Sequence, residues 1–78
     1  MKLGKYLHYK GKEYEVIGIA RDSEALEEVV VYKALYDSQD FGMNALWIRK
    51  KEDFEAKVNQ DGIVVQRFIY IGNQASKI

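Results

Sequence analysis

Rings and β-branched residues come in short alternating runs, a pattern that leaves this chain few folds other than a small sheet. The runs are His8-Tyr9-Lys10-Gly11-Lys12-Glu13-Tyr14-Glu15-Val16, Val29-Val30-Val31-Tyr32-Lys33-Ala34-Leu35-Tyr36 and Leu46-Trp47-Ile48-Arg49. A strand turns successive side chains to opposite faces, so alternation of apolar and charged residues buries one side and wets the other. Val, Ile, Tyr and Trp also pack well on a pleated surface. These runs hold most of the Tyr, the only Trp and the only His and, with Arg21, two of the three Arg. Rings with polar tips beside guanidinium groups make a binding face.

Length and composition set the bounds. Seventy-eight residues make one domain, with roughly 60–65% of the unfolded surface available for burial. Residues 1–72 are read as that domain, of SH3 type, and 73–78 as a flexible tail. One core fits; a deep enclosed active site does not. With no Cys, disulfides and thiolate metal sites are excluded. No apolar run approaches the ~20 residues of a membrane span, and Met1-Lys2-Leu3-Gly4-Lys5-Tyr6 lacks the apolar centre of a signal peptide. Cytoplasmic residence and no membrane partner are expected.

Nine Lys and three Arg balance twelve Asp and Glu, so net charge is zero. General nucleic-acid binders draw most of their affinity from phosphate neutralisation and are usually basic, which disfavours that class. The charge is uneven, however. Lys2, Lys5, Lys10 and Lys12 stand without an acid in residues 1–12, whereas Asp22, Glu24, Glu27, Glu28, Asp37 and Asp40 face Lys33 alone in residues 22–40. That asymmetry either orients a partner or marks solvated loops.

Gly11 marks a turn before a strand over Glu13–Arg21. In that strand Tyr14, Val16, Gly18 and Ala20 share one face and Glu15, Ile17, Ile19 and Arg21 the other, with Gly18 suited to a bulge. Asp22–Ala25 connects to a second strand over Glu27–Tyr36. Asp37–Gly42 is a loop, and a shorter strand lies near Ala45–Arg49. Lys50–Val58 reads as a helix whose apolar stripe is Phe54 and Val58. Asp61-Gly62 is a turn, after which Ile63–Val65 and Gln66–Ile71 supply the last strands. The expected fold is mainly β: a small SH3-like roll or barrel of about five antiparallel strands with one short helix near residues 50–58.

The residues also resemble a known family. Tyr6-x-His8-Tyr9-Lys10-Gly11-x-x-Tyr14-x-Val16-x-Gly18-x-Ala20-Arg21, then Ser23-Glu24, then Val30-Val31-Tyr32-x-x-Leu35-Tyr36, Trp47-x-Arg49, Phe54, Val58 and Arg67-Phe68 look like the small, mostly bacterial proteins of domain-of-unknown-function family 1653. The resemblance covers about Tyr6 to Tyr70. It implies an SH3-type β roll and no reaction, because that family has none assigned. The chain departs from the family pattern at Lys50, where Pro usually follows the Trp-x-Arg arginine, and in a loop Asp37–Ala45 that looks longer than usual.

Candidate site residues follow from chemistry. His8 is the only side chain that ordinarily titrates near neutral pH. It acts either as a base or anion donor, or as a structural ring packed between Tyr6 and Tyr9 and bonded to backbone. Ser23 and Glu24 with His8 lack the Gly-x-Ser-x-Gly elbow of a hydrolase and read as turn residues. Asp22 and Glu24 with His8 lack paired metal-ligand spacing. Arg21, Arg49 and Arg67 lie in or beside strands, where a guanidinium fork either grips an external carboxylate or phosphate or clamps an internal acid. Tyr6, Tyr9, Tyr14, Tyr32, Tyr36 and Trp47 are too many rings for one small core, so some are expected at the surface.

The leading reading is a non-catalytic module with no cofactor and no metal. Its ligand-binding residues are His8, Tyr9, Tyr14, Arg21, Tyr32, Trp47 and Arg49, and its ligand is a peptide or a small anion. Three alternatives stay open: single-stranded nucleic acid stacked on the same rings with Lys2, Lys5, Lys10 and Lys12 at phosphates, a homodimer closed by exposed rings, and an enzyme acting through His8.

Overall fold

The computed structural model describes residues 1–72. Along the chain run β1 (Gly4–His8), β2 (Glu13–Arg21), β3 (Glu28–Ala34), β4 (Asp37–Ser38), β5 (Gly42–Met43), β6 (Leu46–Lys50), α1 (Lys51–Phe54), β7 (Lys57–Gln60), β8 (Ile63–Gln66) and β9 (Phe68–Gly72). The expected mainly β architecture is found. One five-stranded antiparallel sheet has the order β6-β3-β2-β1-β9, and β4–β5 and β7–β8 form two small hairpins. The segment 73–78, read above as a tail, lies outside the described residues.

Register decides which side chains meet. Direct cross-strand partners share a face. The pairs Tyr6↔Tyr14, Tyr6↔Tyr70, His8↔Phe68, Val16↔Tyr32, Tyr32↔Trp47 and Val30↔Arg49 therefore gather on one inner face. Tyr6, Val16, Val30, Tyr32, Ala34 and Phe68 are buried there, and Phe54 of α1 joins them. Phe54 stacks on Phe68 with ring centres 3.9 Å apart and planes 3° from parallel. Its edges meet Tyr6 and Tyr32, each with centroids 5.3 Å away. On the outer face Glu15 sits between Lys5 and Lys33 in register. Ion pairs Lys33–Glu15 (3.5 Å) and Lys5–Glu13 (3.4 Å) lace that face, each contributing about 0.2–1 kcal/mol in water.

Three local expectations need correction. The helix is one turn, Lys51–Phe54, not Lys50–Val58; Val58 belongs to β7, opposite Val65. The β7–β8 pairing outweighs a helical pattern carried only by Phe54 and Val58. The bulge falls where Gly18 suggested, but it has a consequence for β2. Val16 pairs with Tyr32 and Gly18 with Val31, so Ile17 is the extra residue. Beyond it the faces exchange: Ile19 and Arg21 follow Tyr14 and Val16 inward, and Gly18 and Ala20 turn outward. The stretch Asp37–Gly42 is not a plain loop either, since its ends pair as β4 and β5. The Asp61-Gly62 turn is as expected. Both residues have positive φ (53° and 86°), as a two-residue I′ hairpin turn requires.

Gly4 holds the edge of the sheet in a way no other residue can. Its φ is +126°, and a Cβ there would lie 3.2 Å from the Gly72 carbonyl oxygen and 3.3 Å from Tyr70 Cε1. Gly4→Ala is expected to destabilise the chain by about 1–3 kcal/mol. Thermal unfolding checks this; an unchanged midpoint would contradict the β1–β9 geometry.

Candidate functional site

Phe68 is the floor of a cluster at one end of the inner face. Its register partner His8 lies on it with centroids 4.9 Å apart. Tyr14 and Tyr32 meet it edge-on at 5.8 and 5.6 Å. Tyr14 also packs edge-on against Tyr32 (5.4 Å) and Tyr36 (5.5 Å), while the His8 and Tyr9 rings lie tilted by 34° with centroids 4.7 Å apart. Edge-to-face contact sets the positive rim of one ring against the negative face of the next.

The backbone holds this end together. After β1 the chain turns sharply at Gly11, with φ +101° and its N–H on the His8 carbonyl at 2.8 Å. Arg67 is the single residue between β8 and β9. Its carbonyl accepts the Tyr9 N–H at 2.9 Å, and its own N–H donates to the Ala56 carbonyl at 3.1 Å. The turn, the exit of α1 and the start of β9 are thereby tied at Arg67.

The polar atoms have few protein partners. Arg49 Nε donates to the Tyr32 hydroxyl at 3.4 Å, and Arg67 Nε donates to the Asp53 carbonyl at 3.1 Å. The ion pairs among the described residues involve Lys5, Arg21, Lys33, Lys50 and Lys51, and neither Arg49 nor Arg67 is in one. The hydroxyls of Tyr14 and Tyr36 are bonded to each other at 2.7 Å. Lys10 lies 5.8 Å over the Tyr9 ring and Lys12 4.8 Å over the Tyr36 ring.

A family model described as a protein of unknown function, DUF1653, matches residues 4–70. The chain belongs to the DUF1653 family. It is also similar to the crystal structure of a DUF1653 protein from Bordetella bronchiseptica, at 32% identity and a TM-score of 0.84, over 99% of this chain and 95% of that one. A comparison with curated proteins gives no match. Membership carries the fold and an unknown function, so chemistry must be read from the site itself.

Several residues singled out in the sequence of this DUF1653 chain come together: His8, Tyr9, Tyr14, Tyr32, Trp47 and Arg49. Tyr32 contributes differently from the expectation of an exposed ring. Its ring is core, at 5% exposure, and its hydroxyl meets Arg49. Trp47 stands at the rim, 37% exposed, with Phe41 from the β4–β5 hairpin against its edge at 5.2 Å. Arg21 is not part of the cluster. It sits at the far end of β2 from Tyr14, about 23 Å along the strand, bonded to the Leu26 carbonyl (2.7 Å) and near Glu28 (3.9 Å). The internal clamp thus describes Arg21, but not Arg49 or Arg67. Sequence reasoning counts Tyr36 among the rings and Arg67 among the guanidinium groups but leaves both out of its ligand-binding set, and the structure brings both to the cluster. The signal for Arg67 was its place directly before Phe68, which His8 pairs with.

The four N-terminal lysines do not form one track. Lys10 and Lys12 border the cluster, whereas Lys5 is on the outer face with Glu13. Surface hollows of about 280 Å³ beside Glu27 and Glu52 and about 240 Å³ beside Tyr6 and Tyr70 are lined by other residues than His8, Tyr14, Arg49 and Arg67. Among the described residues no group of three His, Asp or Glu could hold a metal ion, and no helix is long and apolar enough to cross a membrane.

The electrostatics follow from this placement. Burial lowers the His8 pKa, and the positive charges of Arg49, Arg67 and Lys10 lower it further. Burial raises that of Tyr14, helped by the Tyr36 hydroxyl, so the phenol stays protonated. The His8 shift makes stability depend on pH. The unfolded imidazole takes a proton near pH 6.5 while the folded one resists it. Its contribution is complete above pH 6.5 and is lost as pH falls through the lower folded value, because the unfolded chain then binds more protons. Denaturant unfolding between about pH 7.5 and about pH 5 should show this decline, and His8→Gln should flatten it. Equal slopes in the two proteins would contradict the assignment.

Proposed function

We propose that this chain is a non-catalytic binding module whose cluster of rings and guanidinium groups takes a small anionic ligand or an anionic side chain of a peptide. The observation that carries this reading is the pair Arg49 and Arg67, held beside His8 with only neutral oxygens as partners among the described residues. A half-buried cation without a counter-charge is unfavourable. A ligand oxyanion relieves that and accepts two parallel bonds from a guanidinium fork. Rings at the rim, Tyr9 and Trp47, supply apolar contact without a flexible side chain.

The test is a backbone amide NMR titration with inorganic phosphate, acetate, acidic peptides, Pro-rich peptides and short single-stranded oligonucleotides, each in turn. Anions should shift His8, Tyr14, Trp47 and Arg49 together, and added salt should weaken the effect. A response only to oligonucleotides would move the reading to nucleic acid. Silence from every anion would remove the proposal.

A further inference from the structure

We propose that the cluster is a donor-rich oxyanion site in which neutral His8 donates through Nε2–H, so that the ligand it selects presents acceptors, the oxygens of a carboxylate or a phosphate. This rests on the anion-binding reading above and specifies how that site discriminates.

The tautomer of His8 is set by a backbone bond. The Lys10 N–H donates to His8 Nδ1 at 3.1 Å. A neutral imidazole carries one N–H, and with Nδ1 accepting, that hydrogen is on Nε2. Protonating Nδ1 would set one N–H against another, so the geometry keeps the ring neutral. Nε2 has no partner among the described residues. No side-chain nitrogen or oxygen there is both fully buried and unpartnered, so Nε2 keeps some exposure to solvent. The groups around the ring from the adjoining turn and strands are Tyr9, Lys10, Tyr14, Arg49 and Arg67, and none is a carboxylate.

The other open positions are donors too. Arg49 and Arg67 each use Nε internally and keep their terminal N–H groups. In the Tyr14–Tyr36 pair one proton lies between the oxygens, and the second is left for an outside acceptor. The Tyr32 hydroxyl accepts from Arg49, which leaves its own proton to donate. A further ammonium group would meet mostly N–H and O–H donors and positive charge here, with the Tyr9 and Tyr36 rings already covered by Lys10 and Lys12; carboxylate and phosphate oxygens match the chemistry of each of these positions.

The experiment is a titration of the full chain with sodium acetate, inorganic phosphate and, as a donor-only control, methylamine hydrochloride, read on backbone amides and on the imidazole nitrogens by long-range ¹⁵N–¹H spectra. The free protein should show protonated Nε2 and bare Nδ1, with Nε2 moving on addition of acetate or phosphate and not of methylamine. Which anion binds more tightly separates a carboxylate from a phosphate as the natural group. His8→Ala should weaken binding about tenfold, the value of one hydrogen bond to a charged group. His8→Gln, which keeps a side-chain N–H, should retain most of it. Acetate is ionised throughout, so its affinity should stay level between about pH 8 and about pH 6.5. A protonated Nδ1, unchanged affinity in His8→Ala or tighter acetate binding at the lower pH would each overturn the proposal. If Arg49→Met still abolished binding in those cases, the anion-binding reading would stand without it. No response to either anion would overturn both.

Discussion

Phe54→Ala is expected to remove about 3–5 kcal/mol of stability, the range for emptying a fully buried aromatic site. A domain of this size has about 4–12 kcal/mol in total, so the variant should be largely unfolded at modest denaturant concentrations. The reason is geometric. α1 is a single turn that does not hold itself together, and its one buried residue is Phe54, at 1% exposure. That ring lies flat on Phe68 and edge-on to Tyr6 and Tyr32. Removing it opens a cavity bordered by rings from β1, β3 and β9, and rings too rigid to collapse leave the cavity empty. Phe54→Leu, which keeps most of the volume, should lose distinctly less. Denaturant unfolding followed by Trp47 fluorescence measures both. A loss below about 1 kcal/mol for Phe54→Ala would mean that α1 is not the lid of this core.

Arg49→Met should do the opposite: little to stability, much to binding. Arg49 makes no ion pair among the described residues, and its bond to the Tyr32 hydroxyl is long at 3.4 Å. Met keeps the apolar stem over Val30, so stability should change by less than about 1 kcal/mol. Anion affinity should fall at least about tenfold, since a charge-assisted bidentate contact is lost. A second readout comes from His8. Arg49 is one of the cations that hold the His8 pKa down, so the imidazole should titrate at higher pH in the variant. Intact anion binding together with an unmoved His8 titration would place Arg49 outside the site. Loss of fold would make it a core residue instead.

The large elements were legible because their signals are local. The stretch Glu13–Arg21 was bounded as strand by the Gly11 turn and the polar run after Arg21, and β2 has those bounds. Asp61-Gly62 announced its hairpin for a conformational reason. What was not legible depended on partners distant in sequence. Phe54 and Val58 satisfy a helical spacing equally well when one faces the sheet from α1 and the other pairs with Val65 in a hairpin. The bulge was visible at Gly18, yet only the register with β3 shows that Ile17 is the extra residue and that Ile19 turns inward.

The site divides the same way. His8, Tyr14, Tyr32, Trp47 and Arg49 were legible by residue type and by lying in strand runs, whereas their common face comes from the register between strands. Arg21 had the same residue type and a strand position, but its distance from Tyr14 along β2 and its neighbours Leu26 and Glu28 take it elsewhere. Arg67 joins through a one-residue step between β8 and β9 that no periodicity encodes. Tyr36 joins through a hydroxyl pair with Tyr14 that bridges twenty-two positions of sequence.

The measurement that bears most directly on the central claim is the ¹⁵N–¹H spectrum of the arginine Nε–Hε groups during a titration with inorganic phosphate. The chain has three Arg, so three signals are expected. Arg21, held by Leu26 and Glu28, serves as the internal control. The signals of Arg49 and Arg67 should move and saturate together at one phosphate concentration while that of Arg21 stays in place. Equal, unsaturating drift of all three would show three ordinary surface cations and contradict an anion site on this face.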